Sequence, residues 1–254
     1  MTARTAEMGR VAVVVLLAAA LVSVGACGES TPVRPAPFPG SGAPSPSAPR
    51  VDAAAFSATV DNRYFPLLPG MRWEYRSRTG DGVETTVVAV TGRVRTVLGA
   101  PCVEVRDTVR LDGEVIEDTL DLYTQHRDGS VWYFGEDTKE YEHGKVVSTE
   151  GTWQAGVDGA RPGIIMPAEP RPGDRYRQEY YRGHAEDRGE VIAVGRRAKV
   201  PAGAYEGVVV TQETTPLEPK VLERKYYAAG IGPVLTIDVA GGGTRDELMR
   251  FLNQ

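Results

Sequence analysis

Pro69-Gly70-Met71-Arg72-Trp73-Glu74-Tyr75-Arg76 opens with a turn and then alternates aromatic and charged residues. A period of two marks a strand with one buried face, because successive Cβ atoms point to opposite sides of a sheet. Val103-Glu104-Val105-Arg106 has the same period. Turn signals punctuate the chain: Thr79-Gly80-Asp81-Gly82, Asp112-Gly113, Arg127-Asp128-Gly129, His143-Gly144 and Pro201-Ala202-Gly203. A turn about every 10 to 15 residues suits an antiparallel meander. Strands are predicted near residues 71–78, 84–97, 102–110, 115–125, 130–135, 138–149, 174–181, 188–199, 206–215, 220–228 and 233–239. The fold class is all-β: a curved antiparallel sheet or half-barrel meander of about 10–11 strands. Thr244-Arg245-Asp246-Glu247 fits a helix capping box before Leu248, Phe251 and Leu252, and the same residues could alternate as a last strand.

An internal echo runs through this region. At a shift of 103 residues, Pro69-Gly70 falls on Pro172-Gly173, Arg72 on Arg175, Gly92-Arg93 on Gly195-Arg196 and Val97 on Val200. Val105, Thr108, Tyr123, Gly129 and Val131 fall on Val208, Thr211, Tyr226, Gly232 and Val234. These are 11 identities over residues 69–134, against about 4 or 5 from ordinary composition. The expectation is two similar β units, about 66–134 and 169–237, within one β domain at 51–254. Between them, residues 158–167 are rich in Gly and Pro with an apolar centre, and read as a loop tucked against the sheet.

The amino terminus belongs to export. Arg4 and Arg10 precede Val11–Val24, a run of 14 residues that is apolar except for Ser23. A bilayer needs about 20 residues to be crossed by a helix, so 1–26 reads as a signal peptide. The run ends in Val24-Gly25-Ala26-Cys27. Two small residues before a cysteine look like a bacterial lipobox, in which Cys27 carries a diacylglycerol and becomes the first residue after cleavage. Residues 28–50 contain 7 Pro, 4 Ser, 3 Gly and 3 Ala among 23. Such a segment buries too little apolar surface to order itself. At about 3.1 Å per residue it reaches about 70 Å. The expected location is the extracytoplasmic side of the cell membrane, held by the lipid anchor.

Composition narrows the partners. The chain has 254 residues with 29 basic and 34 acidic side chains, a net charge of −5. Without residues 1–26 the balance is −6. Nucleic acid is not expected as a partner, since phosphate neutralisation needs a basic face. With Cys27 acylated, Cys102 has no partner for an internal disulfide, and an inert buried thiol is expected.

No catalytic signature stands out. His126, His143 and His184 sit beside turns, without metal-ligand spacing. Glu136-Asp137-Thr138-Lys139-Glu140-Tyr141-Glu142 lacks the frame of a calcium loop. Nucleophile elbows, zinc motifs and phosphate loops are missing. No metal, cofactor or catalytic residue is expected, and the protein reads as a non-enzyme; the minor alternative is a hydrolase using two of the many carboxylates, none of which the sequence singles out. Aromatic residues carry the remaining signal, and Trp132, Trp153, Met166 and Tyr176 are the candidate ligand-binding residues.

Four stretches resemble a group of uncharacterised bacterial exported proteins and lipoproteins: residues 61–73, Val131-Trp132-Tyr133-Phe134-Gly135-Glu136, Pro162-Gly163-Ile164-Ile165-Met166-Pro167 and Tyr226-Tyr227-Ala228-Ala229-Gly230-Ile231-Gly232. The resemblance spans most of 60–240 and implies no particular activity. A looser likeness, at the level of fold, is to the half-barrel lipoprotein carriers and lipid-binding lipoproteins of bacterial envelopes. It implies a membrane-tethered binding protein for an apolar or amphiphilic ligand such as a lipid. The alternative is an interaction lipoprotein that presents a β surface to an envelope protein or glycan.

Overall fold

The computed structural model describes residues 51–240 and 243–253; Cys27, the signal peptide and the linker lie outside the described residues. A short 3-10 turn at Ala53–Ala55 leads into sixteen strands: β1 (Phe56–Ser57), β2 (Arg72–Arg78), β3 (Val83–Val97), β4 (Ala100–Leu111), β5 (Glu114–His126), β6 (Val131–Glu142), β7 (Lys145–Ser148), β8 (Trp153–Gln154), β9 (Arg161–Met166), β10 (Arg175–Arg177), β11 (Glu179–Tyr180), β12 (Arg188–Val200), β13 (Gly203–Thr214), β14 (Leu222–Ala228), β15 (Gly232–Asp238) and β16 (Arg245–Leu252).

Thirteen of these follow one another in the order β10-β12-β13-β14-β15-β16-β2-β3-β4-β5-β6-β9-β11, and β1, β7 and β8 attach to β5 and β6. The result is an antiparallel, near-closed barrel with one seam. The curved antiparallel sheet expected from the alternation is present, and the additional strands are mostly short. Two of the sequence-predicted turns make two-residue hairpins, Asp112-Gly113 (φ 48° and 95°) and His143-Gly144 (φ 50° and 74°). Positive φ at both positions matches the right-handed twist of the flanking strands.

Two segments differ from expectation, and a third takes one of its two expected forms. Residues 131–142 form one continuous strand, β6, with a register shift beside Gly135. Residues 161–166 form β9, which pairs with β6 through Val131–Met166, Trp132–Ile164 and Tyr133–Gly163, so the predicted loop is the strand that carries the sheet to its seam. The carboxyl-terminal segment is β16, not a helix, because it is sandwiched between β15 and β2 and its alternation buries Asp246 and Leu248.

The two sequence echoes occupy corresponding strands. β4 at 100–111 and β13 at 203–214 lie 103 residues apart, and the ladders β3–β4 and β12–β13 break after Val90 and after Ala193, the same offset. Strand β16 joins the two meanders edge to edge. At the seam, β10 and β11 are consecutive pieces of one segment. β10 pairs with β12, and β11 pairs with β9 through only Pro162–Glu179 and Arg161–Tyr180. The Gln178 N–H between them donates to the Asp187 carbonyl at 2.9 Å. Gly163 is needed opposite: a Cβ there would collide with the Arg177 carbonyl oxygen and Gln178.

Candidate functional site

The barrel interior divides in two. One end is apolar and closed by residues 60–71, which enter it with Val60, Phe65 and Leu67. Asn62 pins this cap. Its amide donates to the carbonyls of Gly129 (2.9 Å) and Pro167 (3.2 Å), and its Oδ1 accepts from the N–H groups of Tyr64 and Phe65. The Gln125 Oε1 accepts from the N–H groups of Asp61 and Asn62. Beneath the cap an aromatic column descends. Phe65 meets Tyr123 edge-on at 5.4 Å, Tyr123 stacks on Tyr133 at 4.8 Å, and Tyr133 meets Trp153 edge-on at 5.3 Å. The cavity left here, bounded by Phe65, Leu67, Trp73, Val88, Tyr123 and Asp121, is about 20 Å³. That is room for one water and not for an acyl chain.

The other part of the interior is acidic. Pairing places Asp121 opposite Glu136, Glu117 opposite Glu140, and Glu213, Glu223 and Asp238 in one row across three strands. Asp107, Glu179 and Asp246 are also buried. Lys225 answers this charge from within, with its Nζ 2.7 Å from Glu213 and 3.7 Å from Glu223. Hydroxyl groups serve several of the carboxyls: Tyr133 donates to Asp121 at 2.6 Å, and Tyr227 and Thr211 donate to Glu213 at 3.1 and 3.0 Å. Burial dominates the titration. It pushes Asp121 and Glu117 up to about 7, with the Tyr133 and Thr119 hydroxyls pulling the other way. Asp187 rises to about 6 and Glu223 to about 7, although Lys225 opposes both shifts. Asp107 is raised well above the carboxylate range by burial and then by Asp121, and neither of its oxygens has a hydrogen-bond partner. Among the described residues no group of three or more His, Cys, Asp or Glu is arranged to hold a metal ion. The Cys102 thiol is fully buried and pushed up by burial to about 12.

The four candidate residues do not converge. Trp153 and Met166 are buried, Met166 opposite Val131. Trp132 is half-buried, with its indole N–H donating to Ser130 Oγ at 3.0 Å and its ring edge-on to Phe56. Tyr176 lies at the seam with its ring over Gly189. Neither the mouth cavity nor either seam groove is lined by more than one of the four.

Two larger concavities lie outside the barrel, along the seam. One groove, of about 410 Å³, is lined by Arg175, Tyr176, Arg177, Arg188, Gln212 and Thr214 among others. The second, of about 400 Å³, is lined by Arg161, Pro162, Arg177 and Tyr180. They meet at Arg177. Tyr180 supports two cations, with the Arg177 Cζ 4.5 Å and the Arg161 Cζ 5.8 Å from its ring centroid. Sequence reasoning passed over these arginines. The available signal was composition: Arg171, Arg175, Arg177, Arg182 and Arg188 crowd into 18 residues of an acidic chain. Their convergence with Arg161 needed the seam pairing.

No family model matches the chain, and no curated protein matches it. Two solved structures are similar to it. One, from Bacteroides fragilis, is named as an exported protein with a YmcC-like fold; identity is 16%, the match covers 75% of this chain and 99% of that one, and the TM-score is 0.45. The other, from Parabacteroides distasonis, is named as a lipoprotein; identity is 12%, coverage is 75% and 99%, and the TM-score is 0.43. At these values the reading of the site rests on this chain's own residues.

Proposed function

We propose that the protein is an exported lipoprotein, tethered through Cys27 and the 28–50 linker, that acts without catalysis by binding an amphiphilic ligand at the seam grooves. One observation carries the choice of place. The cavity beneath the cap holds about 20 Å³, whereas two adjoining grooves of about 400 Å³ open along the seam. Their lining suits an amphiphile: Tyr176 and Tyr180 offer ring surface, and Arg177, Gln212 and Thr214 offer polar contacts. The basic start, the apolar run and Val24-Gly25-Ala26-Cys27 support the anchor. An apolar docking face for an envelope protein has less support. Among the described residues the exposed large hydrophobics are only Val94, Val147, Val194 and Val239, and all four are valines.

The test begins with the full chain expressed in a bacterial host and extracted in mild detergent. Native mass spectrometry should show the diacyl modification on Cys27 and a co-purified amphiphile at near unit stoichiometry. Cys27→Ser should move the protein out of the membrane fraction. An unmodified Cys27 would overturn the anchor. A folded chain that takes up no amphiphile of any charge would overturn the binding reading.

A further inference from the structure

We propose that Arg161, Arg177 and Arg188 form a binding site for a phosphate-type oxyanion, the charged head of the ligand; this rests on the seam being the binding surface. The argument starts from adjacent rungs of one ladder. On the outer face of β10 and β12, Arg175 is paired with Glu190, and its guanidinium bonds that carboxylate at 3.0 and 3.3 Å. The next outward pair is Arg177 opposite Arg188. Like charges directly across a sheet are unfavourable. Beyond Arg188 the neighbouring strand offers Thr214, which carries no charge.

The surroundings do not relieve this repulsion. Arg161, Arg177 and Arg188 form no ion pair and no side-chain hydrogen bond among the described residues. Several other outward arginines are paired: Arg106 with Asp118, Arg245 with Glu247, Arg250 with Glu74, and Arg93 and Arg95 with Glu104. The three bare guanidinium groups instead line two grooves that meet at Arg177. Arg161 and Arg177 share the Tyr180 ring from opposite sides of the seam, and Arg177 and Arg188 line the same groove. The ring holds two of the forks in place without neutralising them, and Gln212 and Thr214 add neutral donors in the groove.

Charge and shape then select the ligand. A guanidinium presents paired N–H donors that match the oxygens of a phosphate or carboxylate. Three cations along two grooves that share Arg177 suit a group with several anionic oxygens better than a single carboxylate. The cluster also stands in a chain whose balance without residues 1–26 is −6, so it is a local reversal of sign. Whether the phosphate belongs to a membrane lipid or to a soluble anion, the chemistry of recognition is the same.

The test uses the full chain in an uncharged detergent, titrated calorimetrically with short-chain phosphatidylglycerol, inorganic phosphate and an alkyl glucoside of matched chain length. Binding of phosphatidylglycerol without the glucoside is the expected result, weakening steeply with added salt. Arg177→Gln and Arg188→Gln should each weaken it by about 10- to 100-fold, the range of a hydrogen bond to a charged group. Arg196→Gln, exposed on β12 outside both grooves, should leave it unchanged. Each seam variant should unfold no earlier than the parent, because it removes a like-charge contact. Equal binding by inorganic phosphate would support the site and identify a soluble source. Glucoside binding that is insensitive to the arginine variants would overturn the oxyanion site while leaving the seam reading intact. No binding by any of the three probes would overturn both.

Discussion

Asp121→Asn should alter the response of the fold to pH. Asp121 is buried in the barrel wall, opposite Glu136, with Oδ1 accepting from the Tyr133 hydroxyl at 2.6 Å. Burial raises its carboxyl from 3.8 to about 7. The folded state therefore holds this proton more tightly than the unfolded chain. The contribution is fully present below the unfolded value and is lost as pH rises through about 7. A shift of about three units, at about 1.36 kcal/mol each, amounts to about 4 kcal/mol over the whole range. Between about pH 5 and pH 9 the part lost is about 3 kcal/mol. Asparagine keeps an acceptor for Tyr133 and cannot ionise. Urea unfolding of the parent and of Asp121→Asn, followed by tryptophan fluorescence at both pH values, measures the difference. The parent should lose stability as pH rises, and the variant should lose about 3 kcal/mol less of it. Parallel curves, or a parent whose stability rises over this window, would refute the reasoning.

Other perturbations probe the rest of the barrel. Lys225→Met removes the cation between Glu213 and Glu223 and should cost about 3–5 kcal/mol, the range for breaking a buried pair; the deficit in denaturant midpoint should grow with pH, because Glu223 then loses a proton without compensation. Asn62→Ala removes the bonds that pin the cap and should cost about 3 kcal/mol, with faster amide exchange confined to residues 60–71. Gly163→Ala forces a methyl against the Arg177 carbonyl and should cost about 1–3 kcal/mol; hydrogen exchange should then rise across β9 and β11 before the other strands. If protection there is unchanged, the seam is not closed as described.

Much of the fold is legible in local sequence. Period-two alternation at Trp73–Arg76 and Val103–Arg106 gives strands, and Asp112-Gly113 and His143-Gly144 give hairpins, because both effects act over a few residues. The segment 161–166 was harder: Gly163 reads as a turn residue, and only its contact with Arg177 and Gln178 explains it. The carboxyl-terminal residues 245–252 fit two local templates, and pairing with β2 and β15 selects the strand. Among the candidate site residues, an aromatic signal cannot distinguish Trp153, packed on Tyr133 inside, from Trp132, packed on Phe56.

The sequence by itself determined the strand period, most of the turns and the echo at 103 residues, since each is written in neighbouring residues. Tertiary structure alone decided which faces turn inward and which strands meet at the seam. It placed Glu213, Glu223 and Asp238 in one row, and gave Arg161 and Arg188 each a groove shared with Arg177. The physical reason is that burial and charge proximity are properties of barrel closure. Residues that lie far apart along the chain acquire a common environment only when the sheet curves until its two ends meet.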